Sequence, residues 1–345
     1  MSRWAVVLAG GVGSRFWPLS TPERPKQLLP LVTEKPLLHD TVDRLGAIVD
    51  PAHTLILTNA SLTKSIRKLL GVIPRENIIA EPRPTGTAAA LAWAALAIRD
   101  RDGDDATMIC VHADWAIGDD ARFRETLLRA EALAVKTHSL VTVGIVPTRA
   151  DPGFGYIQPE SETGDPSRVK RFVEKPDRVR ADEMRNNGYL WNSGIFVWRV
   201  GDFLEELDEH TPELAAALRH GSKADASQFF GSVVMPVSVD VGVLERSKKV
   251  MVVPGDFGWD DIGTWAALTR VRAKDEFGNV TSGDAHLLDC ADNVVHAESG
   301  QVVMYGVNDL VVVTHDGLTL VTTTERASDL KRLVESLSAA NLGDS

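Results

Sequence analysis

The chain has 345 residues, is 44% hydrophobic and 25% charged, and carries a formal net charge of −11. Such a length holds one large α/β domain with a smaller appendage, and the acidic balance argues against nucleic acid as a partner. No apolar run approaches membrane-spanning length and no secretory leader precedes the first strand, so a cytoplasmic protein that meets no membrane is expected. Cys110 and Cys290 are too few and too far apart for a disulfide framework or a zinc site.

The first element is a strand, the apolar β-branched run from Ala5 to Ala9, which reads as buried on both faces. It stops at Gly10-Gly11-Val12-Gly13, where glycines allow φ > 0 and let backbone N–H groups converge on an anion. Ser14 and Arg15 follow, the latter with a bidentate fork for phosphate, and Lys26 adds a mobile point charge. A P-loop would close on Gly-Lys-Ser/Thr where Gly13-Ser14-Arg15 stand. A dinucleotide fingerprint would need Gly or Ala at Phe16. A bare Gly-Gly-X-Gly would be a mere tight turn, but with Arg15, Pro18, Pro25 and Lys26 the stretch reads as a polyphosphate loop.

Helix-like and strand-like segments then alternate. Helices are expected over 36–49, 61–70, 87–99 and 123–137, and strands over 53–58, 77–80, 107–111 and 139–146. Repeated β-α units imply a doubly wound, mixed but mostly parallel sheet, with ligands at the carboxyl ends of its strands. Glu81-Pro82-Arg-Pro-Thr-Gly86-Thr87 joins a strand to the alanine-rich helix; Gly86 and Thr87 offer backbone groups and an N-cap hydroxyl to a base edge. The same residues also read as a Pro/Gly turn before a capped helix. Asp114, just past the strand 107–111, is placed to hold a hard cation, although such an Asp often caps the next turn instead.

After residue 147 the pattern changes. Asp151-Pro-Gly-Phe-Gly155 is a loop entering a strand, with Gly155 open to close backbone approach. The strand from Arg168 ends in Glu174-Lys175-Pro176, and Tyr189-Leu-Trp-Asn192-Ser-Gly is a strand with a kink. Amphipathic helix is expected over 200–231, a short helix over 238–245 and a strand over 248–254. Asp260 and Asp261 lie in Phe257-Gly-Trp-Asp-Asp-Ile-Gly263-Thr-Trp265, and either acid alone suits a metal chemically. Short β-branched runs with Gly, Asn and Asp turns over 276–324 suggest a small β-solenoid, and 325–337 a terminal helix.

The string Leu8-Ala-Gly-Gly-Val-Gly-Ser-Arg-Phe-Trp-Pro-Leu-Ser20, with Pro25-Lys-Gln-Leu-Leu-Pro30, resembles the signature of the sugar-1-phosphate nucleotidylyltransferases, and among them the mannose-1-phosphate guanylyltransferases. The likeness runs over nearly all of residues 1–330. It implies a Rossmann-like nucleotidyltransferase domain over 1–270 and a small left-handed β-helix-like segment with a terminal helix over 271–345. It implies GTP, mannose 1-phosphate and Mg²⁺ as ligands; a homodimer is expected because the segment 276–324 would leave edge strands exposed if it stood alone. Catalysis then falls to Arg15, Lys26, Asp114 and Lys175, and nucleotide binding to Leu8, Gly10, Gly11, Gly13, Ser14, Glu81, Pro82, Gly86 and Thr87. The family's base-reading segment has Arg-Asn where this chain has Thr85-Gly86. Gly155, Glu174, Lys175 and Asn192 correspond to the sugar-phosphate residues, and Asp114 with Asp261 to the metal ligands. Some bacterial relatives continue into an isomerase domain; the chain ends before one, so a single activity is expected. Two rivals stay open: a sibling coupling glucose 1-phosphate with dTTP or UTP, and a non-catalytic subunit that senses sugar nucleotides. The second is expected to have lost Arg15, Lys26 or a metal-binding Asp, and all are present.

Overall fold

The computed structural model describes residues 2–11, 14–161, 165–221 and 225–339. Its chain folds as two compact units, the first made of 1–10, 42–113 and 119–258, the second of 11–41, 114–118 and 259–345. The grouping does not follow a single cut near residue 270, because the glycine-loop segment packs with the C-terminal part of the chain.

The first unit holds a nine-stranded sheet. Its strands are β1 (Arg3–Leu8), β2 (Thr54–Asn59), β3 (Ile78–Glu81), β4 (Thr107–His112), β5 (Leu140–Ile145), β6 (Tyr156–Pro159), β7 (Ser167–Val173), β8 (Leu190–Arg199) and β9 (Val250–Gly255). Apolar β-branched runs such as Ala5 to Leu8 and Leu55 to Leu57 are buried on both faces, as strands covered by helices must be. The helices in this unit, apart from the first residues of α1 (Leu37–Leu45), are α2 (Thr63–Leu69), α3 (Thr87–Asp102), α4 (Asp120–Thr137), α5 (Arg178–Asn186), α6 (Val200–His210), α7 (Ala215–His220) and α8 (Ala226–Gly231). The alanines of α3 share one core with Trp4, Val6, Phe196, Trp198 and Phe203. Small side chains there let the helix backbone lie close to the strands.

Strand order is β3-β2-β1-β4-β8-β5-β9-β7-β6. Pairs β1–β2, β2–β3, β1–β4 and β5–β9 are parallel, whereas β8 is antiparallel to β4, β5 and β6, and β7 to β6 and β9. The sheet is therefore evenly mixed, which corrects the mostly parallel expectation. β8 enters the sheet reversed between β4 and β5, and β6 and β7, with no helix between them, pair antiparallel. The order also puts β2 and β4 on opposite sides of β1, a switch point whose carboxyl edge is where α/β sheets bind ligands.

Residues 238–245 contain a π turn, Asp240–Leu244, in place of an ordinary short helix, and 200–231 divides into α6, α7 and α8.

The second unit contains α9 (Leu268–Val271), α10 (Leu330–Ala339) and a sheet ordered β10 (Val280–Leu288), β11 (Val294–Tyr305), β12 (Leu310–His315), β13 (Leu318–Thr323). β10, β11 and β12 are parallel, and β13 is antiparallel to β12. The described strands form an open, β-rich sheet. The last strand turns straight back at Asp316-Gly317, both at positive φ (47° and 79°), the geometry of a type I′ hairpin. Phe16, Leu19, Leu29, Leu31 and Leu37 share a core with Ile262, Trp265, Val280, Val294, Val311 and Leu330.

Candidate active site

In the second unit, the Lys26 side chain is buried by the turn Lys26–Leu28. A buried ammonium requires oxygen partners. Its Nζ donates to Asp114 Oδ2 at 3.1 Å and to the main-chain carbonyl of Asp261. One cation thus gathers three segments remote in sequence.

Asp260 and Asp261 separate clearly. The Asp260 side chain is buried and accepts two bonds from Arg270, at 2.6 and 2.8 Å, and one from the Ile262 amide at 2.9 Å. Its backbone pairs with Ala116. Asp260 is a structural acid, and two residues on Ile262, buried and β-branched, sits at φ 44°, a conformation costing on the order of 1–3 kcal/mol. Gly263 follows, close to two charged side chains. A Cβ there would stand 3.1 Å from Asp261 Oδ2 and 3.4 Å from an Arg15 guanidinium nitrogen. Arg15 is exposed. Trp115 packs edge-on against Trp259, ring centroids 5.9 Å apart.

Of the glycine loop, Gly13 lies outside the described residues, and only the backbone of Ser14 is described, opening the turn Ser14–Phe16. Gly10 and Gly11 do not use positive φ; the freedom anticipated for them is unused. Gly11 is instead open, with nothing within 4 Å of an added Cβ, and its carbonyl accepts from Gln27 Nε2 at 2.9 Å.

In the first unit, Leu8 ends β1 opposite His112 of β4. A Cβ on Gly10 would lie 3.5 Å from Asn59 Oδ1 and 3.8 Å from Glu81 Oε1, so the ends of β1, β2 and β3 meet there. Burial pushes the Glu81 carboxyl up to about 7. Pro82 is exposed. Gly86 stands at φ 87°, and a Cβ would come 2.2 Å from the Val237 carbonyl oxygen, so this position tolerates only glycine. Gly86, not Thr87, caps α3, and the Thr87 hydroxyl accepts from the Val239 amide at 2.9 Å. The N-cap role expected of Thr87 is corrected accordingly: tertiary packing claims its hydroxyl.

Gly155, Glu174 and Asn192 come together at another part of this unit. The Asn192 amide N–H donates to the Gly155 carbonyl at 2.8 Å, and a Cβ on Gly155 would sit 2.7 Å from Glu174 Oε2. Lys175, at φ 42°, pairs with Glu174 at 3.1 Å, and both side chains are at least half exposed. Asp240 joins the group: its Oδ1 accepts from Asn192 Nδ2 at 2.7 Å. Sequence reading passed over Asp240. The signal was an acid set among the valines of a run otherwise bound for the core.

This geometry has relatives. The nucleotidyl transferase family model matches residues 4–277, and a model described as a MannoseP isomerase/GMP-like beta-helix domain matches 283–337. A mannose-1-phosphate guanylyltransferase from Klebsiella pneumoniae is 37% identical over 96% of this chain and 73% of its own length, and one from Escherichia coli is equally similar. The crystal structure of a mannose-1-phosphate geranyltransferase from Thermus thermophilus superposes with a TM-score of 0.91 at 33% identity, covering 98% of this chain and all of that one. The chain therefore belongs to the nucleotidyl transferase family and, within it, to the group formed by these mannose-1-phosphate guanylyltransferases.

Proposed function

We propose that the protein joins GTP and α-D-mannose 1-phosphate into GDP-mannose, releasing pyrophosphate. The observation that carries the reading is the gathering of Asp114 and the Asp261 segment on the buried Lys26 ammonium, in a chain 37% identical to curated enzymes named for this reaction. The sugar phosphate attacks the α-phosphorus in line, the new P–O bond forms, and the bond to pyrophosphate breaks. A phosphate monoester has its second pKa near 6, so the nucleophile is already ionised at pH 7 and needs no general base. The protein's work is then positioning and charge neutralisation. Lys26, Arg15 and the residues Leu8, Gly10, Gly11, Gly13 and Ser14 act on the triphosphate.

Mg²⁺ belongs to the same reading. Asp114 and Asp261 would hold it, a donor set of hard oxygens that suits this ion, while the engagement of Asp260 with Arg270 speaks for Asp261 as the second ligand. When bound, the ion would neutralise phosphate charge. Glu81, with Pro82, Gly86 and Thr87, reads the base: a carboxylate only accepts, which matches the two adjacent donors on guanine's pairing edge. Gly155, Glu174 and Asn192 take the sugar hydroxyls, and Lys175 its phosphate. A cytoplasmic homodimer completes the proposal. It is supported by exposed Val303, Tyr305 and Val321 on the C-terminal sheet, and no helix among the described residues is long and apolar enough to cross a membrane. Pyrophosphate release from GTP, mannose 1-phosphate and Mg²⁺ tests the reading; no release overturns it.

A further inference from the structure

The geometry points to Asp240 as a specificity-determining residue for the sugar, acting by locking the Asn192 side-chain amide in one orientation and presenting its own second carboxylate oxygen to a hydroxyl. This rests on the sugar site proposed above. Asp240 is held on both sides. Before it, Val237 and Val239 are pinned to the Glu81–Thr87 loop: the Val237 amide donates to the Thr85 carbonyl at 3.4 Å, the Ala88 amide to the Val237 carbonyl at 3.2 Å, and the Val239 amide to the Thr87 hydroxyl at 2.9 Å. After it, the π turn closes with the Glu245 amide donating to the Asp240 carbonyl at 2.9 Å, and π turns frequently mark functional positions. The carboxylate is thereby aimed at Asn192, whose Nδ2 donates to it at 2.7 Å while its Oδ1 accepts from the Gly194 amide at 3.3 Å.

An amide flanked by a carboxylate on its nitrogen side cannot flip without losing a charge-assisted bond and facing two acceptors. Desolvation pushes the Asp240 carboxyl up, offset by the Asn192 hydrogen bond and by His112, with Glu174 adding to the rise. With Glu174 beside Gly155, the cluster offers two carboxylates and one oriented amide. Fixed acceptors of this kind discriminate between hydroxyl configurations, because a misplaced hydroxyl leaves them unpaired.

The test uses the full-length protein in three forms: wild type, Asp240→Asn, and the exchanged pair Asp240→Asn with Asn192→Asp. Steady-state kinetics are read with mannose 1-phosphate and glucose 1-phosphate at saturating GTP, beside thermal midpoints. Asp240→Asn is expected to raise the KM for mannose 1-phosphate about tenfold or more, the equivalent of one charge-assisted hydrogen bond, to shrink the mannose-over-glucose preference, and to leave the KM for GTP within about twofold. The exchanged pair restores the donor and acceptor between the two residues, so it should recover the thermal midpoint but not the sugar KM or the preference. Recovery of both by the exchanged pair, or equal shifts of both substrates' KM in Asp240→Asn, means Asp240 is purely structural and overturns the inference. Should wild type prefer another sugar phosphate, the proposed substrate is wrong, and the same comparison is made on the preferred sugar.

Discussion

Lys26 is a buried ammonium, and its oxygen partners separate two neighbouring acids that look interchangeable in the sequence. Asp261 lends it a carbonyl, while Asp260 is bound by Arg270 and the Ile262 amide. The account expects Asp114→Asn and Asp261→Asn to lose turnover by at least about a hundredfold, as removal of a preorganised charge does, with unfolding midpoints near wild type. Asp260→Asn should instead cost stability, on the order of 1–3 kcal/mol for a charge-assisted pair whose Arg270 partner is partly solvated. Denaturant titration and turnover, measured together, check this; an active, destabilised Asp261→Asn would reverse the assignment. The choice was legible in the family motif but not in the residues, because Arg270 becomes visible as a partner only when the chain folds. Glu81 gives a second prediction. With its carboxyl pushed up to about 7, the acceptor form dominates only above that pH, so the KM for GTP should fall as pH rises from 6 to 8. The terminal phosphate of GTP ionises in the same range, so the relevant comparison is with Glu81→Gln. That variant should lose part of the slope and narrow the preference for GTP over UTP. Identical slopes in the two proteins would remove Glu81 from base recognition.

The segment carrying Arg15 and Lys26 owes its shape to elements far downstream. Phe16 lies edge-on to Trp265 at 5.1 Å, Trp265 Nε1 donates to the Trp17 carbonyl at 3.1 Å, and Arg272 donates to the Pro30 carbonyl at 3.0 Å. Arg24 pairs with Glu298 of β11 at 2.7 Å. Burying each of Phe16, Leu19 and Leu29 contributes about 1.5–3 kcal/mol, and all three share their core with β10 to β13. A chain ended at residue 275 is therefore expected to lose turnover and to aggregate, as light scattering and pyrophosphate release would record. A soluble, fully active fragment would contradict this packing. Elements were legible where the pattern is local: the β-α alternation up to β5 follows from periodicity. Two things were not. β8 and the hairpin of β6 and β7 make the sheet mixed, and Val294–Tyr305 forms one strand whose register with β10 skips Glu298, Ser299 and Gly300. The reversal of the last strand at Asp316-Gly317 is a local hairpin signal.

For the molecule as a whole, a net charge of −11 opposes polyanionic substrates, so binding GTP and a sugar phosphate calls for local cations and, in the proposed reading, a divalent ion. That economy is why the reading stands or falls on substrate choice. The motif from Leu8 to Lys26 announced a nucleotidyl transferase in the sequence alone, whereas the residues proposed to select base and sugar, Glu81, Asn192 and Asp240, have neighbours that only the fold supplies. The most direct measurement is kcat/KM for pyrophosphate release across GTP, ATP, UTP and dTTP, each with mannose 1-phosphate and glucose 1-phosphate, in the presence of Mg²⁺. The account predicts that GTP with mannose 1-phosphate exceeds every other pair by at least about tenfold. A higher value for UTP or dTTP with glucose 1-phosphate, or no release from any pair, would contradict it.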